Sequence, residues 1–126
     1  MNAKRCLATA ITVWLLVGHT VGSEEDVRAY AFLEMSILAI DQGDYERFMH
    51  LCDDNFRRDI TREKFDKVHR ELEPRFRHDW SSRPAGNLKQ RGCDVYLWIL
   101  TFKDGGDDLL FRVSVKEGKL AGLAIQ

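Results

Sequence analysis

Proline is scarce in this chain of 126 residues, which has only Pro74 and Pro84. With so little proline, and with 44% hydrophobic residues, it is neither a polyproline linker nor a disordered tail. An excess of one charge is also missing. Nineteen basic against 20 acidic residues give a formal net charge of −1, which argues against a general nucleic-acid role. Long apolar runs are absent as well: Leu7–Val17 is shorter than the roughly 20 residues that a helical membrane span needs. There is no nucleophile elbow, P-loop, dinucleotide-binding glycine pattern or paired zinc motif, and no cofactor is expected. Internal repeats and low-complexity tracts are missing too.

The length suits one domain. The basic start Lys4-Arg5, the apolar run Leu7–Val17 and the small residues Val21 and Ser23 together read as a secretory signal peptide over residues 1–23. Cleavage at Ser23–Glu24 would leave a single domain over 24–126, secreted or periplasmic, with no stable membrane span. Setting aside Lys4 and Arg5 leaves 17 basic against 20 acidic side chains, a mildly acidic domain. It keeps two cysteines, Cys52 and Cys93. In an oxidising compartment an even pair favours a disulfide, here closing a loop of 40 intervening residues and contributing about 4 kcal/mol. The alternative is two separate buried thiols.

The strongest strand signal lies between Gly92 and Gln126. Val95–Phe102 is rich in β-branched and aromatic residues and apolar at both odd and even positions, so it needs cover on both faces. Leu109, Phe111, Val113 and Val115 alternate with more polar residues, which predicts one buried face. For the last hairpin, a three-residue loop at Lys116-Glu117-Gly118 sets Phe111 beside Leu123 and Leu109 beside Ile125. A two-residue turn at Glu117-Gly118 sets Arg112 beside Leu123 instead. The first register keeps apolar next to apolar and is preferred.

Upstream the pattern is helical. Ser23-Glu24-Glu25-Asp26 opens a first helix that Gly43 closes, and Asp44 caps a second carrying Phe48, Met49 and Cys52. Asp53-Asp54-Asn55 reads as a break. Thr61 caps a third helix with Phe65, Val68 and Leu72 at i, i+3, i+7, which Pro74 ends or kinks. Ser81–Gly86 reads as a loop and Asn87–Arg91 as a short strand. The fold class expected is α+β, with three N-terminal helices packed on a curved antiparallel sheet of three to four strands.

Three stretches resemble one known group: Ile40-Asp41-Gln42-Gly43-Asp44-Tyr45, Ile60-Thr61-Arg62-Glu63-Lys64-Phe65, and Gly118–Ile125. They look like the nuclear-transport-factor-2-like (cystatin-like cone) superfamily, and within it small secreted bacterial domains of unknown function. The resemblance implies a cone whose sheet wraps around a cavity plugged by helices. It covers ketosteroid-isomerase-type enzymes, dehydratases, epoxide hydrolases and many non-catalytic binding domains, so it does not choose a function. No stretch here matches the enzymes' catalytic motifs.

Several residues are candidates for chemistry. Glu34, as a general base beside Tyr30 or Tyr96, would serve an isomerase or lyase of the ketosteroid-isomerase type. The alternative is that Glu34 edges its stripe and reaches water. Tyr96, Trp98, Phe102 and Phe111 would line a ligand pocket on the sheet, or simply fill the core. His50 and Asp54 fall at i, i+4, but nothing at comparable spacing completes a metal site, and none is expected. The leading functional expectation is a non-catalytic binding module for a small apolar ligand or a protein partner. The alternatives are the isomerase or lyase and an inhibitor acting by surface contact. A homodimer through the sheet is a further expectation about partners.

Overall fold

The computed structural model describes residues 24–126, so the expected leader, its cleavage site and the Ser23 cap lie outside the described residues. Helices occupy the first half of this region and strands the second: α1 (Glu24–Gln42), α2 (Tyr45–Leu51), α3 (Asp54–Asp59), α4 (Arg62–Phe76), β1 (Trp80–Gln90), β2 (Cys93–Phe102), β3 (Leu109–Lys116) and β4 (Lys119–Ile125).

Local chemistry explains where the helices start. Asp44, Asp53 and Thr61 each turn a side-chain oxygen onto a free backbone N–H of the first turn, those of Arg47 (3.1 Å), Phe56 (2.8 Å) and Lys64 (3.1 Å). Asp53 is therefore a cap. The expected break at Asp53-Asp54-Asn55 is instead the start of an extra short helix, giving four helices where three were expected. Pro74 neither stops α4 at once nor lies deep within it; the helix runs two residues further, to Phe76. So near the C-terminus, the missing N–H removes one of the last hydrogen bonds only. Gly43, at φ +65°, closes α1 while its N–H donates to the Ile40 carbonyl (3.2 Å).

The sheet is antiparallel throughout, in the order β1-β2-β3-β4, curved and unclosed. Ser81–Gly86 is not a loop. Trp80–Gln90 forms one strand of 11 residues whose pairing runs from Trp80 opposite Phe102 to Gln90 opposite Cys93. Pairing with the strongly strand-forming β2 overrides the local turn preference. Pro84 and Gly86 are absorbed by a register shift, tolerated because β1 is an edge strand.

The β3–β4 register also differs from the expected one. The turn is the two-residue Glu117-Gly118, both with positive φ, and Lys116 faces Lys119. A shift between Ser114 and Val115 then moves the ladder, so that Val113 faces Leu123 and Phe111 faces Ile125. Apolar still meets apolar, but a bulge achieves it rather than a longer loop.

One sheet face meets the helices. Leu100, Phe102, Phe111, Val113 and Leu120 join Leu33, Ile37 and Ile40 of α1, with Phe48, Phe56, Phe65 and Phe76, in one core. Val95, Leu97, Ile99 and Leu110, pointing the other way by register, stand outside that cluster. Val95 is still fully shielded; Arg112 reaches across the sheet to Gln90 beside it.

The expected Cys52–Cys93 disulfide is not formed, and both thiols are free. Cys52 bridges to Leu120, Leu120 pairs with Val115, and Val115 pairs with Asp94, the neighbour of Cys93. Three steps of about 4.8 Å between strands put the two cysteines roughly 14 Å apart, twice the reach of a disulfide. Cys52 instead fills core space, its Sγ–H donating to the Phe48 carbonyl (3.2 Å), and burial pushes the thiol up to about 11.

Candidate functional site

The most apolar opening lies where α2, α3 and α4 meet the end of β4. Phe65, Val68 and Leu72, a single stripe of α4, form one wall, while Phe48, Phe56 and Ile60 form a second. Leu123 and Ile125 of β4 close the third side, because the bulge in that hairpin turns both toward the helices. The cleft holds about 210 Å³. Only Lys64 and Glu71 bring charge to it, and both side chains are exposed. Lys64 Nζ donates to the Asp59 carbonyl at 3.1 Å, which holds the amine at the C-terminus of α3. No nucleophile or carboxylate pair lines this cleft. It can exclude water from an apolar molecule and offer a cation and an anion at its margin.

A second hollow, of about 330 Å³, sits between the start of α1 and the irregular part of β1. Asp26, Pro84, Asn87, Tyr96 and Trp98 line it. Trp98 packs against Tyr30 at 5.3 Å between ring centroids with the rings tilted by 54°, and its Nε1–H is buried without a hydrogen-bond partner.

The structure divides the residues singled out from the sequence. Tyr96 and Trp98 line the second hollow, whereas Phe102 and Phe111 are core. Phe102 lies under the Arg75 guanidinium at 4.2 Å and beside Phe76, and Phe111 is completely enclosed. Tyr30, Glu34 and Tyr96 do not converge on one point. Tyr96 donates its hydroxyl to Glu25 Oε1 at 2.8 Å, while Tyr30 interacts with Glu34 and Ser82, and Glu34 is exposed. Burial, reinforced by the Glu25 carboxylate, holds the Tyr96 phenol well above the usual tyrosine range. The hydrogen bond to Glu34, followed by burial, raises that of Tyr30. Both phenols therefore stay protonated at neutral pH.

His50 and Asp54 fall on different helices, since α2 ends at Leu51. No group of three or more His, Cys, Asp or Glu side chains among the described residues could hold a metal ion. Likewise, no helix among them is long and apolar enough to cross a membrane. The cleft between α4 and β4 is not legible in the sequence because its walls come from five separate elements, the four helices and β4. The one legible signal was the Phe65, Val68, Leu72 stripe together with Leu123 and Ile125. Compared with known proteins, the chain matches no family model and no curated protein.

Proposed function

We propose that residues 24–126 act as a secreted or periplasmic, non-catalytic binding domain of the nuclear-transport-factor-2-like cone type. Its ligand is small and apolar and enters the cleft between α4 and β4. The observation that carries this reading is the cleft itself, with apolar walls and charge only at Lys64 and Glu71. An apolar cavity of about 150 Å³ accepts benzene, so about 210 Å³ suits a two-ring aromatic or a short alkyl chain, and little more. A ligand of about ten heavy atoms binding at modest efficiency gives a Kd on the order of 100 µM. The isomerase or lyase alternative has less support, because Glu34, although hydrogen-bonded to Tyr30, opens to solvent and lines neither cleft, while Tyr96 is engaged by Glu25.

Titration of naphthalene, watched through the methyl resonances of Val68, Leu72, Leu123 and Ile125, tests the reading. Saturable shifts at those methyls are the expected result, with those of Leu72, Leu123 and Ile125 abolished by Val68→Trp. Shifts confined to the Tyr96–Trp98 hollow, or none up to the solubility limit, would overturn it.

Surface contact with a protein partner is a second reading with its own support. Val27 (64% exposed), Met35 (40%) and Leu38 (43%) are exposed apolar side chains of α1, with the exposed Glu34 among them.

A further inference from the structure

The two edges of the sheet are treated differently. At β4 the edge is engaged at one point: Cys52 pairs with Leu120 in a parallel bridge, and the Asp53 N–H donates to the Leu120 carbonyl at 2.8 Å. At β1 no described residue pairs beyond the strand, and from Arg83 to Gln90 every residue is exposed. An edge of 11 residues leaves a row of unpaired N–H and C=O groups, the template that extended peptides use to add a strand.

The charge on this edge is equally distinctive. Residues 80–92 contain Arg83, Lys89 and Arg91 and no acidic side chain. The described region as a whole has 17 basic and 20 acidic side chains, so everything outside this segment is net −6. Along β1, register puts Arg83 and Leu88 on the face turned away from the helices and Lys89 on the helix side. An added strand would thus meet Arg83 and one apolar side chain, Leu88, which is 41% exposed, on one face, and on the other Lys89, which already lies 4.0 Å from the Asp94 carboxylate across the pair.

These features discriminate among occupants. A second copy paired edge to edge would bring Arg83, Lys89 and Arg91 against the same three cations, and Pro84 removes a donor from each side; the edge is guarded against itself. A lipid surface would find only Leu88 to insert. A single nucleic-acid strand would find no exposed aromatic on the strand, since Trp80 is half-buried and packs on Phe76. We propose that the free edge of β1 receives an extended, acidic segment of a partner protein, which adds as a fifth strand. Main-chain hydrogen bonds would supply the affinity, and Arg83, Lys89 and Arg91 the selection for acidic side chains. This site is separate from the α4–β4 cleft, and either can fail without the other.

The test uses the ¹⁵N-labelled protein and three eight-residue peptides: alternating Glu-Val, alternating Lys-Val, and Glu-Val with N-methylated backbone. Glu-Val should shift the amides of residues 80–90 saturably and slow their hydrogen exchange. Lys-Val should bind at least tenfold more weakly, and the N-methylated peptide should give no exchange protection. Raising salt from about 50 to 500 mM should weaken Glu-Val binding several-fold. The doubly reversed R83E/K89E should weaken it at least tenfold while keeping a dispersed amide spectrum. The peptide comparison needs no variant, so it decides even if that protein misfolds. The proposal is overturned by no saturable shift below 1 mM Glu-Val, by equal protection from the N-methylated peptide, or by shifts centred on other strands. It is also overturned if β1 amides become protected by self-association, or by phosphatidylserine vesicles and not by Glu-Val.

Discussion

Gly43 and Gly118 form a matched pair of left-handed glycines, at φ +65° and +74°, that differ in what surrounds them. Alanine at a left-handed position costs about 1–2 kcal/mol through its Cβ alone. At Gly118 nothing lies within 4 Å of where that Cβ would stand, so the backbone cost is the whole cost. At Gly43 the new Cβ would come within 3.1 Å of His69 Nε2. That ring cannot simply swing away, because its Nδ1 is hydrogen-bonded to the Ile40 carbonyl at 2.6 Å. A carbonyl only accepts, so Nδ1 carries the proton, and giving up this bond costs about 1 kcal/mol more. Gly43→Ala should therefore destabilise by about 2–3 kcal/mol and Gly118→Ala by about 1–2. In a domain of this size the difference of about 1 kcal/mol corresponds to about 4–8 °C in Tm. Urea denaturation followed by circular dichroism measures both, and a His69→Ala background should bring the Gly43→Ala cost down to that of Gly118→Ala. Equal costs in the parent, or an unchanged gap once the imidazole is gone, would refute the reasoning.

Two further outcomes follow from the thiols and the phenols. Alkylation of residues 24–126 in the native state without reductant should attach one label, at half-exposed Cys93, and a second at Cys52 only after unfolding; mass spectrometry giving no label at either cysteine in either state would restore the disulfide. The folded state holds the pKa of Tyr96 and of Tyr30 above 10.0, the ordinary value, so the native protein keeps protons that the unfolded chain has lost. Their contribution to stability is then complete below about pH 10 and disappears as pH rises further, with Cys52 adding a similar loss between 9.0 and about 11. Urea midpoints measured from pH 8 to 11 should fall, and Tyr96→Phe should flatten the decline above pH 10; an unchanged slope would contradict the raising of the Tyr96 phenol by burial and by Glu25.

Much of the helical half was legible because its signals are local. Asp44 and Thr61 cap the helices they were expected to cap, Gly43 ends α1, and the Phe65, Val68, Leu72 stripe faces inward as its spacing indicates. A cap or a left-handed glycine acts through neighbours a few residues away, so sequence alone resolves it. Asp53 carried the same signal but was read as part of a break, because the six-residue helix that it caps is too short to show periodicity.

Elements that depend on distant partners were not legible. Ser81–Gly86 has turn chemistry, yet it pairs with β2 and becomes a strand. The bulge between Ser114 and Val115 follows from the need of Leu123 and Ile125 to face Val113 and Phe111, a choice made across the sheet. For the candidate site the same holds. Sequence determined the α+β order, the apolar stripes and the residues able to carry charge. Tertiary structure alone decided that Phe102 and Phe111 fill the core, that Cys52 and Cys93 lie three strands apart, and that a cleft opens between α4 and β4. Caps and stripes are set by interactions within a few residues, whereas cavities, disulfides and free edges depend on where separate elements come to rest.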